Sequence, residues 1–145
     1  MEHAAAVAHQ TPPRRSARPV SARTVDSQRL RALRSTIDRL RGLGDNWDSY
    51  GGKCPTVEAA RDAIDLARVA EALGAPAPSV VPSPSGGFQL EWYVGPFELE
   101  VDCLGDDRYV AVFDDNASGE SWDAELGSGN LERVVKALRL IGALR

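Results

Sequence analysis

Carboxylates dominate the side chains of this sequence that could do chemistry. Their spacing separates three options: a cation site, an acid–base pair and a charged surface. Asp114, Asn116, Ser118, Gly119 and Glu125 fall at positions 1, 3, 5, 6 and 12 of an EF-hand-like register. Calcium wants oxygen ligands at alternating positions, a glycine at the sharp bend and a bidentate glutamate at the end. Against that, Ser121 stands where an apolar residue is expected, and the flanking segments read as strands rather than helices. The same run also reads as an ordinary polar turn. General acid–base and nucleophilic chemistry is poorly served. His3 and His9 are the only histidines, and both precede the first periodic segment, far from any structure that would hold them against a substrate proton. No Walker loop, GxGxxG or HExxH occurs. Acids are abundant enough to leave a glycosidase-like pair open, although an acid-rich exposed strand is more often simply solvated.

A second arrangement of acids is more legible. Phe88, Leu90, Trp92 and Val94 share one parity, with Gln89, Glu91 and Tyr93 on the other. After Gly95-Pro96 the pattern restarts: Phe97, Leu99, Val101 and Cys103 alternate with Glu98, Glu100 and Asp102. Side chains on a strand point to opposite faces in turn, so each strand buries one row and offers the other to water. The outer row of this hairpin, Glu91, Tyr93, Glu98, Glu100 and Asp102, forms a charged grid suited to a basic partner. A third candidate is the loop Asn46-Trp47-Asp48-Ser49-Tyr50-Gly51-Gly52. There Trp47 and Tyr50 are either interface anchors or, as Trp47 is favoured to be, a plug between helices and sheet. Asn46 and Asp48 would then satisfy backbone donors. A fourth is the N-terminal cluster Arg14, Arg15, Arg18 and Arg23, which could neutralise nucleic-acid phosphates.

The elements that must position these groups follow from periodicity. Residues 1–24 carry scattered arginines and three prolines without a sustained period, which predicts a disordered basic arm before one domain over 25–145. Leu30, Leu33, Ile37 and Leu40 lie at helical spacing behind Asp26 or Ser27 as cap, predicting a helix over about 27–42. Thr56 caps a second helix whose inner row is expected to be Ala60, Ile64, Ala67 and Ala70, joined by Leu66 and Leu73. Pro76, Pro78, Pro82 and Pro84 surround Val80-Val81, an edge strand if a strand at all. Beyond the hairpin come a strand over 108–114 of ambiguous parity and a short one through Trp122, Ala124 and Leu126. Ser128 or Asn130 is expected to cap a last helix burying Leu131, Val134, Val135, Leu138 and Ile141. Two helices, a three- to five-stranded antiparallel meander and a final helix define an α+β fold with the helices on one sheet face.

Charge is partitioned along the chain. Residues 1–45 hold nine arginines against four acids, a net of +5; residues 46–128 reach −12 and 129–145 return +3. Such asymmetry bears on association rather than fold. No apolar run approaches the ~20 residues of a membrane helix. The arginines follow the alanine run near the N-terminus, the wrong order for a secretory signal, while the acid-free stretch 11–24 leaves a transit peptide open. Cys54 and Cys103 have no ligand spacing and suit a reducing cytoplasm.

Two of these segments carry a resemblance. Asn46-Trp47-Asp48-Ser49-Tyr50-Gly51 and Gly86-Gly87-Phe88-Gln89-Leu90-Glu91-Trp92 resemble the paired motifs of a family of small, uncharacterised bacterial proteins, over roughly residues 28–142. That resemblance implies a compact bacterial domain and brings no activity or catalytic residue. Taken together, the sequence points to a non-enzymatic, cytoplasmic interaction module that binds a basic protein partner through its acidic sheet face. An antitoxin- or inhibitor-like accessory role is compatible. The first alternative is a nucleic-acid-associated protein using its arginine-rich arm; the second is a metal-binding or carboxylate-based enzyme. No membrane association and no cofactor are called for, with calcium on the Asp114–Glu125 register as the alternative.

Overall fold

The computed structural model describes residues 26–144, so the expected arm over 1–24 lies outside the described residues. The chain runs α1 (Gln28–Arg41), α2 (Val57–Ala72), β1 (Ser79–Pro82), β2 (Phe88–Val94), β3 (Phe97–Gly105), β4 (Arg108–Asp115), β5 (Ser121–Gly127), a 3₁₀ turn (Ser128–Asn130) and α3 (Glu132–Gly142). The five strands form one sheet in sequence order, each antiparallel to the next. This is the α+β architecture expected from the pattern, at the five-stranded end of its range.

Local chemistry fixes the ends of the first two helices. Ser27 Oγ accepts from the Leu30 N–H and in turn donates to Glu71 on α2, tying the start of α1 to the neighbouring helix. Thr56 Oγ1 accepts from the Ala59 N–H, with Glu58 in the first turn where the helix dipole favours an acid. For α3 the expected cap is wrong. Leu131 occupies the cap position without a side-chain bond, because the 3₁₀ turn over Ser128–Asn130 already leads the chain into the helix.

The sheet buries one face. Phe88, Leu90, Trp92, Leu99, Val101, Ala111 and Phe113 are all sealed from water against Ile37, Ala59, Ala63, Leu138 and Ile141 of the helices. Each fully buried large side chain contributes about 1.5–3 kcal/mol. Trp92 is satisfied inside by donating Nε1–H to the Pro76 carbonyl at 2.9 Å. The parity of β4, unreadable in sequence, resolves with Tyr109, Ala111 and Phe113 inward and Val110 and Val112 outward.

The buried face of α2 contains most of the expected row and is wider than it. Ala60, Leu66, Ala67 and Ala70 are buried as expected, Ala59 and Ala63 join them, and Ile64 and Leu73 are only half-buried. Alanine on several sides of this helix makes its apolar period shallow, so its buried face spreads beyond one row. Asp62, itself buried, accepts from the Asp107 N–H at 3.2 Å. Asp106 and Asp107 hold φ of 53° and 59° in the two-residue β3–β4 turn, the left-handed pair that a type I′ hairpin requires. On α3, Val135 moves to the rim and Ala137 takes its place in the core. No helix among the described residues is long and apolar enough to cross a membrane.

Candidate interaction face of the sheet

With the helices on one side, the other side of the sheet presents three ranks of side chains that run across the strands. The first is Tyr93, Glu98, Asp114 and Ser121; the second is Ser79, Glu91, Glu100, Val112 and Asp123; the third is Val81, Gln89, Asp102, Val110 and Glu125. Read along the strands, β3 gives a column of acids, β4 a pair of valines and β5 a second column of acids. Glu91 stands opposite Glu100, and Glu98 opposite Asp114. Like charges in directly paired positions destabilise a sheet. Apart from the β1–β2 turn over Asp102, no element among the described residues covers this side: Val81, Tyr93 and Val112 are exposed on it, as are Glu98, Asp123 and Glu125. Arg108, at the far end of β4, is the one basic residue in the outward rows of β2 to β5.

Two side chains within these ranks depart from a simple solvated grid. The Tyr93 hydroxyl reaches diagonally to donate to Glu100 Oε1, and that bond, with partial burial and the charges of Glu100, Glu91 and Glu98, pushes its pKa up to about 12. Tyr93 is therefore a neutral donor at physiological pH, laid across the acids. Asp102 points to the outer side yet is half-buried, because the β1–β2 turn folds over it. A Cβ on Gly87 would sit 2.8 Å from Asp102 Oδ1 and 2.5 Å from the Cys103 carbonyl, so only glycine fits there. Asp102 Oδ1 has no hydrogen-bond partner among the described residues. Burial raises its carboxyl pKa, with the Ser83 hydroxyl pulling the other way. Its role is thus partly internal, which corrects the expectation of a fully outward acid.

The Asn46–Gly52 loop is built by its own polar groups. Asp48 Oδ1 accepts from the Tyr50 and Gly52 N–H groups at 2.9 and 2.8 Å, and Asn46 Oδ1 accepts from the Gly51 N–H at 2.8 Å. These bonds hold the Asp48 carboxyl below its ordinary range, the Tyr50 amide foremost. Trp47 donates Nε1–H to the Lys53 carbonyl at 2.9 Å and is only half-buried. It lies outside the main core, so it does not plug the space between helices and sheet. Tyr50 is 93 % exposed on the tip. The loop meets the sheet at the β1–β2 turn, where the Lys53 N–H donates to the Pro84 carbonyl.

The calcium register is not assembled. Asp114 lies opposite Ser121, and Glu125 lies four residues farther along β5, opposite Val110; that separation is roughly 13 Å. Asp115, not Asp114, organises the hairpin tip, its carboxylate accepting from the Ala117 and Ser118 amides and the Ser118 hydroxyl. Asn116 and Ser118 are therefore turn residues, and among the described residues no three His, Cys, Asp or Glu side chains converge as a metal site. Asp114 and Glu125, singled out in sequence as ligands, instead join the outward ranks, together with Asp123, which the sequence reading passed over. Alternation of Trp122, Ala124 and Leu126 with Asp123 and Glu125 was the available signal.

Arg14, Arg15, Arg18 and Arg23 lie outside the described residues. On α1, Arg34 pairs with Asp26, which Arg68 of α2 also contacts at 3.1 Å, while Arg29, Arg31 and Arg39 are exposed. None of the α1 arginines Arg29, Arg31, Arg34 and Arg39 faces the acidic ranks, since α1 packs on α2 and β1. No family model, characterised protein or solved structure matches the chain.

Proposed function

We propose that this chain is a non-enzymatic interaction module whose acidic outer sheet face docks a basic protein partner. The observation that carries the reading is the uncovered side of the sheet, where two acid columns flank Val110 and Val112 with one arginine at the margin. A complementary basic surface would be steered to such a patch and kept in register by it. The valines and Tyr93 supply the apolar contact that a rank of charges alone lacks. The paired acids Glu91–Glu100 and Glu98–Asp114 repel in the free protein, so a lysine or arginine seated between them relieves a strain that water only screens. An antitoxin- or inhibitor-like accessory role is compatible with this chemistry.

The test immobilises the full chain and a Glu98→Gln/Glu100→Gln variant in native extract and identifies what each retains. The reading expects basic proteins held by the first and lost by the second, with circular dichroism unchanged. Equal retention overturns it. The competing reading, nucleic-acid binding, draws on Arg29, Arg31 and Arg39, exposed on the helix that follows the basic segment. It expects salt-sensitive gel shifts that vanish when residues 1–24 are removed.

A further inference from the structure

We infer that β5 is an open docking edge, and that the partner adds to it an extended segment in which lysine or arginine alternates with apolar residues. This rests on the acidic-face reading and specifies how the partner enters. The sheet has two edges, and they differ. β1 is four residues long, contains Pro82 and follows Pro76 and Pro78, so its capacity to pair is blunted. β5 is seven residues long and free of proline.

Its backbone direction follows from the bonds that flank the ladder. The Asp115 N–H donates to the Glu120 carbonyl, and the Ser128 N–H to the Asp107 carbonyl. Even-numbered residues of β5 therefore turn their amides to β4. By alternation Ser121, Asp123 and Glu125 direct theirs away from the sheet. No loop or side chain among the described residues caps those groups. An unpaired row of this kind is a template for an added strand.

Side chains on either side of the edge specify what would add. On the outer face Asp123 and Glu125 would be the cross-strand neighbours of the newcomer, and opposite charge is the favourable pairing. On the inner face Trp122 and Leu126 are only half-buried, and no further strand among the described residues pairs beyond them. Between β5 and α3 runs a groove of about 390 Å³ lined by Phe113, Ser121, Trp122, Arg133, Lys136 and Leu140. Arg133 lies over the Trp122 ring at 5.7 Å. Apolar side chains on alternate positions of the added strand would extend the Trp122–Leu126 row into that groove.

A second copy of this chain is the wrong occupant. Antiparallel pairing of β5 with itself about Ala124 sets Asp123 against Glu125, an unfavourable like-charge pair. The same two acids thus keep copies apart and select a basic strand.

The probe is a fluorescein-labelled peptide, Arg-Val-Lys-Ile-Arg-Val-Lys, titrated into the full chain and read by polarisation. Controls are the peptide N-methylated at alternate residues, and protein variants Ser121→Pro and Asp123→Lys/Glu125→Lys. Ser121→Pro removes one outward donor without touching the β4 ladder. It and N-methylation should each weaken binding about fivefold or more, the scale of a lost net hydrogen bond. The double lysine variant should prefer the peptide with glutamate in place of its basic residues. If the N-methylated peptide binds as well as the parent, strand addition is wrong, whatever Ser121→Pro does to folding. Should that same binding also depend on Glu98 and Glu100, docking on the face survives without the edge. Failure of the parent peptide to bind at low salt overturns both.

Discussion

Glu91 on β2 stands directly opposite Glu100 on β3, two carboxylates set at paired positions on the uncovered side of the sheet. Cross-strand pairs of this type cost about 0.2–1 kcal/mol when the charges are alike. A double-mutant cycle with Glu91→Gln and Glu100→Gln is expected to return a repulsive coupling of that size in urea melts at low salt. It should shrink in high salt, as screening requires. Glutamine keeps an acceptor for the Tyr93 hydroxyl, so the cycle isolates charge.

Asp62 gives the stability a pH dependence of defined sign. Burial raises its carboxyl pKa above the ordinary 3.8, with the Asp107 N–H opposing and the Asp107, Asp65 and Asp106 charges adding to the rise. The folded state therefore favours the protonated form. Asp62's contribution is fully present below 3.8 and is lost as pH rises through the higher folded value. Asp62→Asn, which retains an acceptor for the Asp107 amide, should melt higher than the parent at pH 7. The difference should close as pH falls toward 3.8, followed by thermal melts across that interval.

Asp48 carries the opposite sign. Its amide bonds hold the carboxyl below 3.8, so its contribution is present above that value and disappears as pH falls through the lower folded one. Asp48→Ala should speed hydrogen exchange at the Tyr50 and Gly52 amides while leaving the core strands as protected as in the parent. Unchanged exchange at both amides would show that the glycines alone shape the loop.

The hairpin was readable because β2 and β3 alternate from Phe88 to Trp92 and from Phe97 to Cys103, with those rows inward. β4 was not, since Val110 and Val112 are as apolar as Tyr109, Ala111 and Phe113; only register against Glu100 and Asp102 decides which row meets the helices. The full width of the α2 face was hidden for a related reason. Its alanines offer nearly equal faces, and the buried Asp62 bonds to a residue 45 positions away. Local pattern carries no information about such a contact. The outward face was half visible: Glu91, Glu98 and Glu100 follow from alternation. Asp114 and Glu125 were drawn into a loop register that a hairpin cannot close.

Gly87 is required by contact rather than by flexibility. Gly87→Ala would press a methyl into the Cys103 carbonyl at 2.5 Å and Asp102 Oδ1 at 2.8 Å. Overpacking of this kind costs about 1–3 kcal/mol. The urea midpoint should fall accordingly, and the Gly129→Ala control, which meets nothing within 4 Å, should barely move.

The docking claim is tested most directly by contact in the cell. Val112 at the centre of the outward face and Val69 on α2 are matched in exposure, at 40 % and 42 %. A photo-crosslinking residue placed at each site therefore samples the two sides of the molecule equally. The account predicts an adduct from position 112, mapping to a lysine- or arginine-rich segment and lost when Glu98 and Glu100 are neutralised, with none from position 69. Adducts from position 69 alone, or from 112 irrespective of those glutamates, would contradict it.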